Sequence, residues 1–169
     1  MASLLSMLTE EESKRLLLII SEKDRDLAKS LEEEVRKYLL KVNVDKVETD
    51  VYQALTKLEI EDIYNRCGPR RYKYVEPVEA AYEVIEETLE PFAAQMQRFK
   101  ALNMLEEFKL FGIGLLKGIQ TFTNDSSTEF IEYAPDDALE WFHGLMMEYE
   151  RKSKSQEEIK IINELLELF

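Results

Sequence analysis

The side chains of this sequence that could do chemistry are few and poorly assembled. Glu140 and His143 stand one helical turn apart, so both project from the same side of a helix. Glu-x-x-His is the ligand spacing of di-iron and di-manganese bundles, which need two such motifs and further glutamates. His143 is the only histidine, so one chain cannot supply that ligand set, and the expected place of His143 is beside Trp141 and Phe142, near the core or partly exposed. The same shortage leaves a serine or Cys67 nucleophile with no base other than His143. Cys67 falls at an expected helix end, where the negative pole of the macrodipole disfavours a thiolate, and reads as a small packing residue. As the only cysteine it permits no intrachain disulfide and no thiolate zinc site. With 35 acidic side chains, a carboxylate pair says nothing without a pocket. Gly112-x-Gly114-x-x-x-Gly118 lies within a helical pattern, not between a strand and a helix, so it is not a phosphate loop. No catalytic, cofactor or metal residue is expected.

One segment departs from its surroundings. Arg70, Arg71, Tyr72, Lys73 and Tyr74 interleave three basic residues with two tyrosines in an otherwise acidic chain. Arginine and tyrosine are common binding anchors, and arginine forks grip carboxylates or phosphates. These five residues are the candidate partner contact. The plainer reading is a long connection tied down by arginine–glutamate pairs, with tyrosines packed between helices.

The charge balance narrows the partners. The 169 residues carry 22 basic and 35 acidic side chains, a net −13. An acidic surface repels phosphate backbones and anionic lipid, which disfavours duplex nucleic acid and membranes and leaves a protein partner or a second copy of the chain. The charge also serves plain solubility. No secretory signal is visible, and Leu110–Leu116 falls far short of the roughly 18 apolar residues a membrane span requires. A cytoplasmic location is the default expectation.

The elements that must position these residues are helices. Hydrophobic residues make up 45% of the chain, against only five glycines and four prolines, which favours long helices over many short strands. Thr9 with Glu12 forms a capping box before a helix to about Glu22 holding Leu16, Leu17, Ile19 and Ile20. Asp24 or Asp26 starts the next, with Leu27, Leu31, Val35, Tyr38 and Leu39 on one face. A break is expected at Asn43–Asp45. Beyond it come a helix with Val47, Val51, Ala54, Leu55 and Leu58 and a short one through Ile60, Ile63 and Tyr64, ended by Gly68-Pro69. From Pro77, the positions Val78, Tyr82, Ile85, Leu89, Phe92, Met96 and Phe99 repeat every seven residues. The register persists through Pro91, which predicts a kinked but continuous helix. A corner at Leu102–Met104 leads to a helix ending near Phe122. Its glycines each cost roughly 1 kcal/mol against alanine, which close approach of a neighbouring helix would offset. A loop at Asn124–Ser127, a short helix through Phe130 and Tyr133, and a helix carrying Leu139 to Tyr149 follow. Ser155 with Glu158 forms a second capping box before the last helix, Ile159 to Phe169.

The expectation is an all-α single domain over 1–169, with about eight helices stacked as antiparallel hairpins in an irregular bundle or short superhelix. Residues 155–169 form a C-terminal helix that docks on the core or on a partner. The apolar termini, Met1–Leu8 and Ile159–Phe169, are a second candidate contact surface. Residues 77–122 look like one hairpin of the tetratricopeptide kind, but no second copy aligns.

Three stretches carry a resemblance. Leu4 to Thr9 with Leu16, Leu17 and Asp24 to Leu31, then Leu58 to Tyr64 through Tyr74–Pro77 to Leu89–Phe92, and more loosely Ser127 to Asp136, are similar to the helical region found downstream of the SWIM zinc finger in some prokaryotic proteins. The finger itself is absent, since it needs cysteines and histidines this chain lacks. The resemblance implies a stand-alone helical interaction module and transfers no catalytic residue. A non-enzymatic interaction or scaffold module is therefore the expected function. The alternatives are an inter-helix pocket involving His143, Tyr72 or Tyr74 that binds a small molecule or does enzymatic work, and weak single-stranded nucleic-acid binding through Arg70, Arg71 and Lys73, with stacking on the tyrosines.

Overall fold

A computed structural model describes residues 4–39, 41–69, 71, 74–124, 129–153 and 155–168. Among these residues the fold is all-α, with eight helices: α1 (Glu10–Lys23), α2 (Arg25–Leu39), α3 (Val44–Leu55), α4 (Ile60–Tyr64), α5 (Pro77–Ala101), α6 (Leu105–Asn124), α7 (Asp137–Lys152) and α8 (Gln156–Leu166). Two 3-10 turns, Leu4–Met7 and Glu129–Glu132, and the two-residue strands β1 (Gly68–Pro69) and β2 (Tyr74–Val75) complete it. The chain groups into two units, residues 1–41 and 42–169.

In the first unit, Thr9 and Glu12 cap α1 reciprocally: the Thr9 amide donates to the Glu12 carboxylate at 2.9 Å and the Glu12 amide to the Thr9 hydroxyl at 3.3 Å. Asp24 alone separates α1 from α2. Its amide closes α1 on the Ile20 carbonyl at 3.0 Å. Its Oδ1 accepts from the amides of Asp26 and Leu27, each at 3.0 Å, satisfying donors that a helix start leaves free. Ser13, Ile20 and Ser21 of α1 and Ala28 and Leu31 of α2 are half-buried. No residue of α1 is buried, and of the side chains described in α2 only Leu39 is.

The second unit is built around α6, ten of whose residues are buried. Its glycines are where neighbours come closest. A Cβ at Gly114 would meet the Val47 Cβ at 2.7 Å and the Val44 carbonyl at 2.8 Å, and one at Gly118 would meet the Glu48 carbonyl and the Val51 Cβ, both at 2.7 Å. Backbone-to-backbone packing of α3 on α6 therefore needs both glycines. On α6 a third glycine, Gly112, receives the Leu165 side chain of α8 at 2.8 Å from its would-be Cβ. The helix stripe along α5 passes through Pro91 without interruption. Its Ile85, Leu89, Met96 and Phe99 are buried, but Val78 and Tyr82, read as part of the same stripe, are exposed. Asn103 turns the corner from α5 to α6 in the left-handed region, φ 54°, which asparagine tolerates better than most residues.

Several expectations shift. The break before α3 comes earlier: Asn43 is the cap, its Oδ1 accepting from the Lys46 amide at 3.1 Å, and the helix starts at Val44. The short helix α4 ends at Tyr64, before Gly68-Pro69, and that dipeptide pairs antiparallel with Tyr74–Val75 in register Gly68↔Val75 and Pro69↔Tyr74. Two-residue strands are too short for any alternation to mark them in a sequence. Gly68 sits at φ 112°, where a side chain would be strained. Ser155 caps α8 by accepting from the Glu158 amide at 3.1 Å, while the Glu158 carboxylate lies 3.7 Å from Lys100. Of the loop expected at Asn124–Ser127, residues 125–127 lie outside the described residues, and Asn124 itself ends α6.

Candidate functional site

Both Glu140 and His143 are exposed on α7, and among the described residues no group of three or more histidine, cysteine or acidic side chains is arranged to hold a metal. Glu140 has acidic company: Asp137 is pushed above the usual carboxylate range, first by burial, then by Glu140 and Asp136. Cys67 lies past the end of α4, half-buried, its amide bonded to the Ile63 carbonyl at 3.0 Å. Of the basic and aromatic segment, Arg70, Tyr72 and Lys73 lie outside the described residues. Arg71 is exposed, and Tyr74, which opens β2, is 60% exposed.

Other polar side chains of the second unit act as ties between helices. Arg66, just past α4, makes a two-pronged pair with Glu87 of α5, at 2.7 and 2.8 Å. That pairing raises the guanidinium and holds the carboxylate below its ordinary range. Tyr64 and Tyr133 share a hydroxyl hydrogen bond of 3.0 Å and meet edge to face, joining α4 to the second 3-10 turn. The Lys100 ammonium donates to the Tyr149 carbonyl at 3.0 Å and the Ser153 hydroxyl at 2.9 Å, which closes the C-terminal end of α7. Burial holds its pKa down against the pull of Glu158. The Tyr149 hydroxyl donates to the Ala93 carbonyl at 3.1 Å, and burial pushes its pKa up to about 12. Lys100, Tyr149 and Ser153 thus bind α5 to α7.

Three clefts lined by described residues are open grooves. One of about 700 Å³ runs past Gly144, Met147, Arg151 and Ile159, between α7 and α8. Another of about 430 Å³ follows α8 itself, past Ile159, Lys160 and Glu164. The third, of about 480 Å³, lies within the first unit, along α1, lined by Leu8, Glu10, Ser13, Lys14, Leu17, Leu18 and Ser21. Only this last groove runs beside a continuous apolar block: Leu16, Leu17, Leu18 and Ile19 are all exposed, Leu17 by 48% and Leu18 by 58%. Five consecutive apolar residues, 16 to 20, at 100° per residue wrap a helix on every side, so one packing seam cannot absorb them. On α2, Leu27, Val35 and Tyr38 are exposed as well, Tyr38 by 77%. Of the two apolar termini, α8 buries Ile162 and Leu165, whereas Met7 is exposed.

No helix among the described residues is long and apolar enough to cross a membrane. Comparison with protein families, with curated proteins and with solved structures returned no match.

Proposed function

We propose that this chain is a non-enzymatic protein-interaction module whose contact surface is the apolar face of the first unit. The observation that carries this reading is the exposed Leu16–Ile19 block beside the α1 groove. Large apolar side chains gathered on one element, beside Glu10 and Lys14 of the groove, have the make-up of a docking patch rather than of scattered surface residues. The polar residues best placed for chemistry, Lys100 and Tyr149, are engaged in holding helices together. The resemblance to the helical region downstream of SWIM zinc fingers agrees with a helical module that acts by binding.

The test is affinity purification of the full chain from its native cell, side by side with a Leu17→Glu/Leu18→Glu variant. The expected result is a protein, another or the chain's own second copy, retained by the parent and lost from the variant, with the folding of residues 42–169 unchanged. Equal recovery from both, or specific recovery from neither, overturns the reading.

A further inference from the structure

The interaction reading leaves the partner open, and the first unit itself narrows it. Residues 1–41 hold eight basic and nine acidic side chains, against fourteen and twenty-six in residues 42–169. Nearly all the net charge of −13 therefore belongs to the second unit. A basic partner would be drawn to that unit, not to α1 and α2. Two copies of the first unit carry almost no net charge and so meet with almost no like-charge penalty of their own. A two-helix piece of about 40 residues also lacks the means to build a core of its own, and oligomerisation is a usual remedy. Helices of 14 and 15 residues with so little buried are marginal when left alone.

The order of residues along α1 adds complementarity. With α1 laid antiparallel to a copy of itself and centred on Leu17 and Leu18, Lys14 of each copy falls opposite Ser21 and Glu22 of the other. Glu10, Lys14, Leu17, Leu18 and Ser21 are the residues that line the groove. The same arrangement sets leucines in the middle, small serines beside them and opposite charges outside, and a two-fold axis makes each contact twice. We propose that the chain forms a homodimer through antiparallel α1 helices, with α2 of each copy flanking the seam as in a four-helix bundle. This proposal rests on the interaction reading and names its partner as a second copy of the chain.

Sedimentation of the full chain over a wide concentration series tests it. A monomer–dimer equilibrium is expected, and Leu17→Glu/Leu18→Glu should raise the dissociation constant by more than about a hundredfold, since it places four carboxylates in the seam. That variant also weakens α1 as a helix, so a charge exchange supplies the second arm. Lys14→Glu and Glu22→Lys, each alone, should weaken the dimer about threefold to tenfold, and the two together should restore it. The two residues are eight apart on one helix, too far to pair within a chain, so rescue reports a contact between copies. A monomer at every concentration overturns the dimer but leaves the interaction reading standing if a different protein is still captured and lost on substitution. A dimer indifferent to both sets of variants, or charge variants without rescue, also overturns the antiparallel seam.

Discussion

Helices α6 and α1 are both rich in large apolar residues, yet one is the centre of a core and the other lies open. In α6, Leu115, Leu116, Ile119 and Phe122 are buried, as are Phe108 and Phe111. In α1, the block from Leu16 to Ile19 is exposed. What separates them is the residues in between. The glycines of α6 let α3 come within backbone distance and seat Leu165 of α8, so each apolar neighbour finds a partner at van der Waals range. No glycine stands in α1, and it packs against a single short neighbour within its unit. Apolar content alone does not make a core, because burial depends on how many surfaces can approach.

The sharpest way to break that comparison is to make one truncation in both helices. Leu115 is fully buried, and Leu115→Ala should cost about 2–5 kcal/mol through lost burial and the cavity it leaves. Leu18→Ala removes the same atoms from a half-exposed site and should change the main unfolding transition by less than about 0.5 kcal/mol. Chemical denaturation followed by tryptophan fluorescence checks both, because Trp141 is the only tryptophan and is buried in the second unit. Similar losses from the two variants would mean that α1 is part of the same cooperative core.

A smaller effect separates glycines that touch a neighbour from one that does not. Gly118→Ala gains roughly 1 kcal/mol of helix propensity, but its methyl group would face the Glu48 carbonyl at 2.7 Å. A backbone oxygen cannot turn aside as a side-chain tip can, so overpacking should win and leave a net loss of about 1–3 kcal/mol. At Gly144, on α7, nothing lies within 4 Å of the would-be Cβ. Gly144→Ala should therefore stabilise the chain by about 0.5–1 kcal/mol. Thermal melts of the two variants should move in opposite directions, and a stabilised Gly118→Ala would remove the close α3–α6 approach from the account.

These contrasts also mark what could be read from residue order. Helix starts were legible directly, because they depend on local backbone chemistry and need no tertiary partner: Thr9 caps α1 with its own side chain, and Pro77 opens α5 where its missing N–H costs nothing. The three glycines of α6 pointed to close approach by their cost alone, though not to which helices approach. The seven-residue stripe of α5 was legible over Ile85 to Phe99, but its first two members, Val78 and Tyr82, are exposed; periodicity says which residues share a face, not how far the opposing surface extends. β1 and β2 left no local signal. As for the candidate site, the five-residue segment at 70–74 stood out by composition, and the structure describes only Arg71 and Tyr74 of it. The exposed block on α1 carried a usable sign that periodic reading passed over: Leu16 to Ile20 are consecutive, and consecutive residues cannot share one helical face.

The mildest contrast concerns what holds each unit's helices in place. Deep in the second unit the ties are packing and the Lys100–Tyr149 bonds; α1 depends on its cap. Thr9→Ala removes the hydroxyl that accepts from the Glu12 amide at 3.3 Å and should cost α1 about 1 kcal/mol, seen as faster hydrogen exchange of amides 10–23 with no shift in the main transition. The Glu12 carboxyl is held below its ordinary range, chiefly by the Thr9 amide and then by the Thr9 hydroxyl. A carboxylate whose folded pKa is depressed stabilises above its unfolded value and loses that contribution as pH falls through the folded one. Acidification below the ordinary glutamate range should therefore loosen α1 in the parent chain. Glu12→Gln can still receive the Thr9 amide on its side-chain oxygen but does not titrate, so exchange at the start of α1 should lose this acid-dependent step. If amides 10–13 exchange with the same pH profile in Glu12→Gln as in the parent, after correction for intrinsic rates, the cap is not what holds α1.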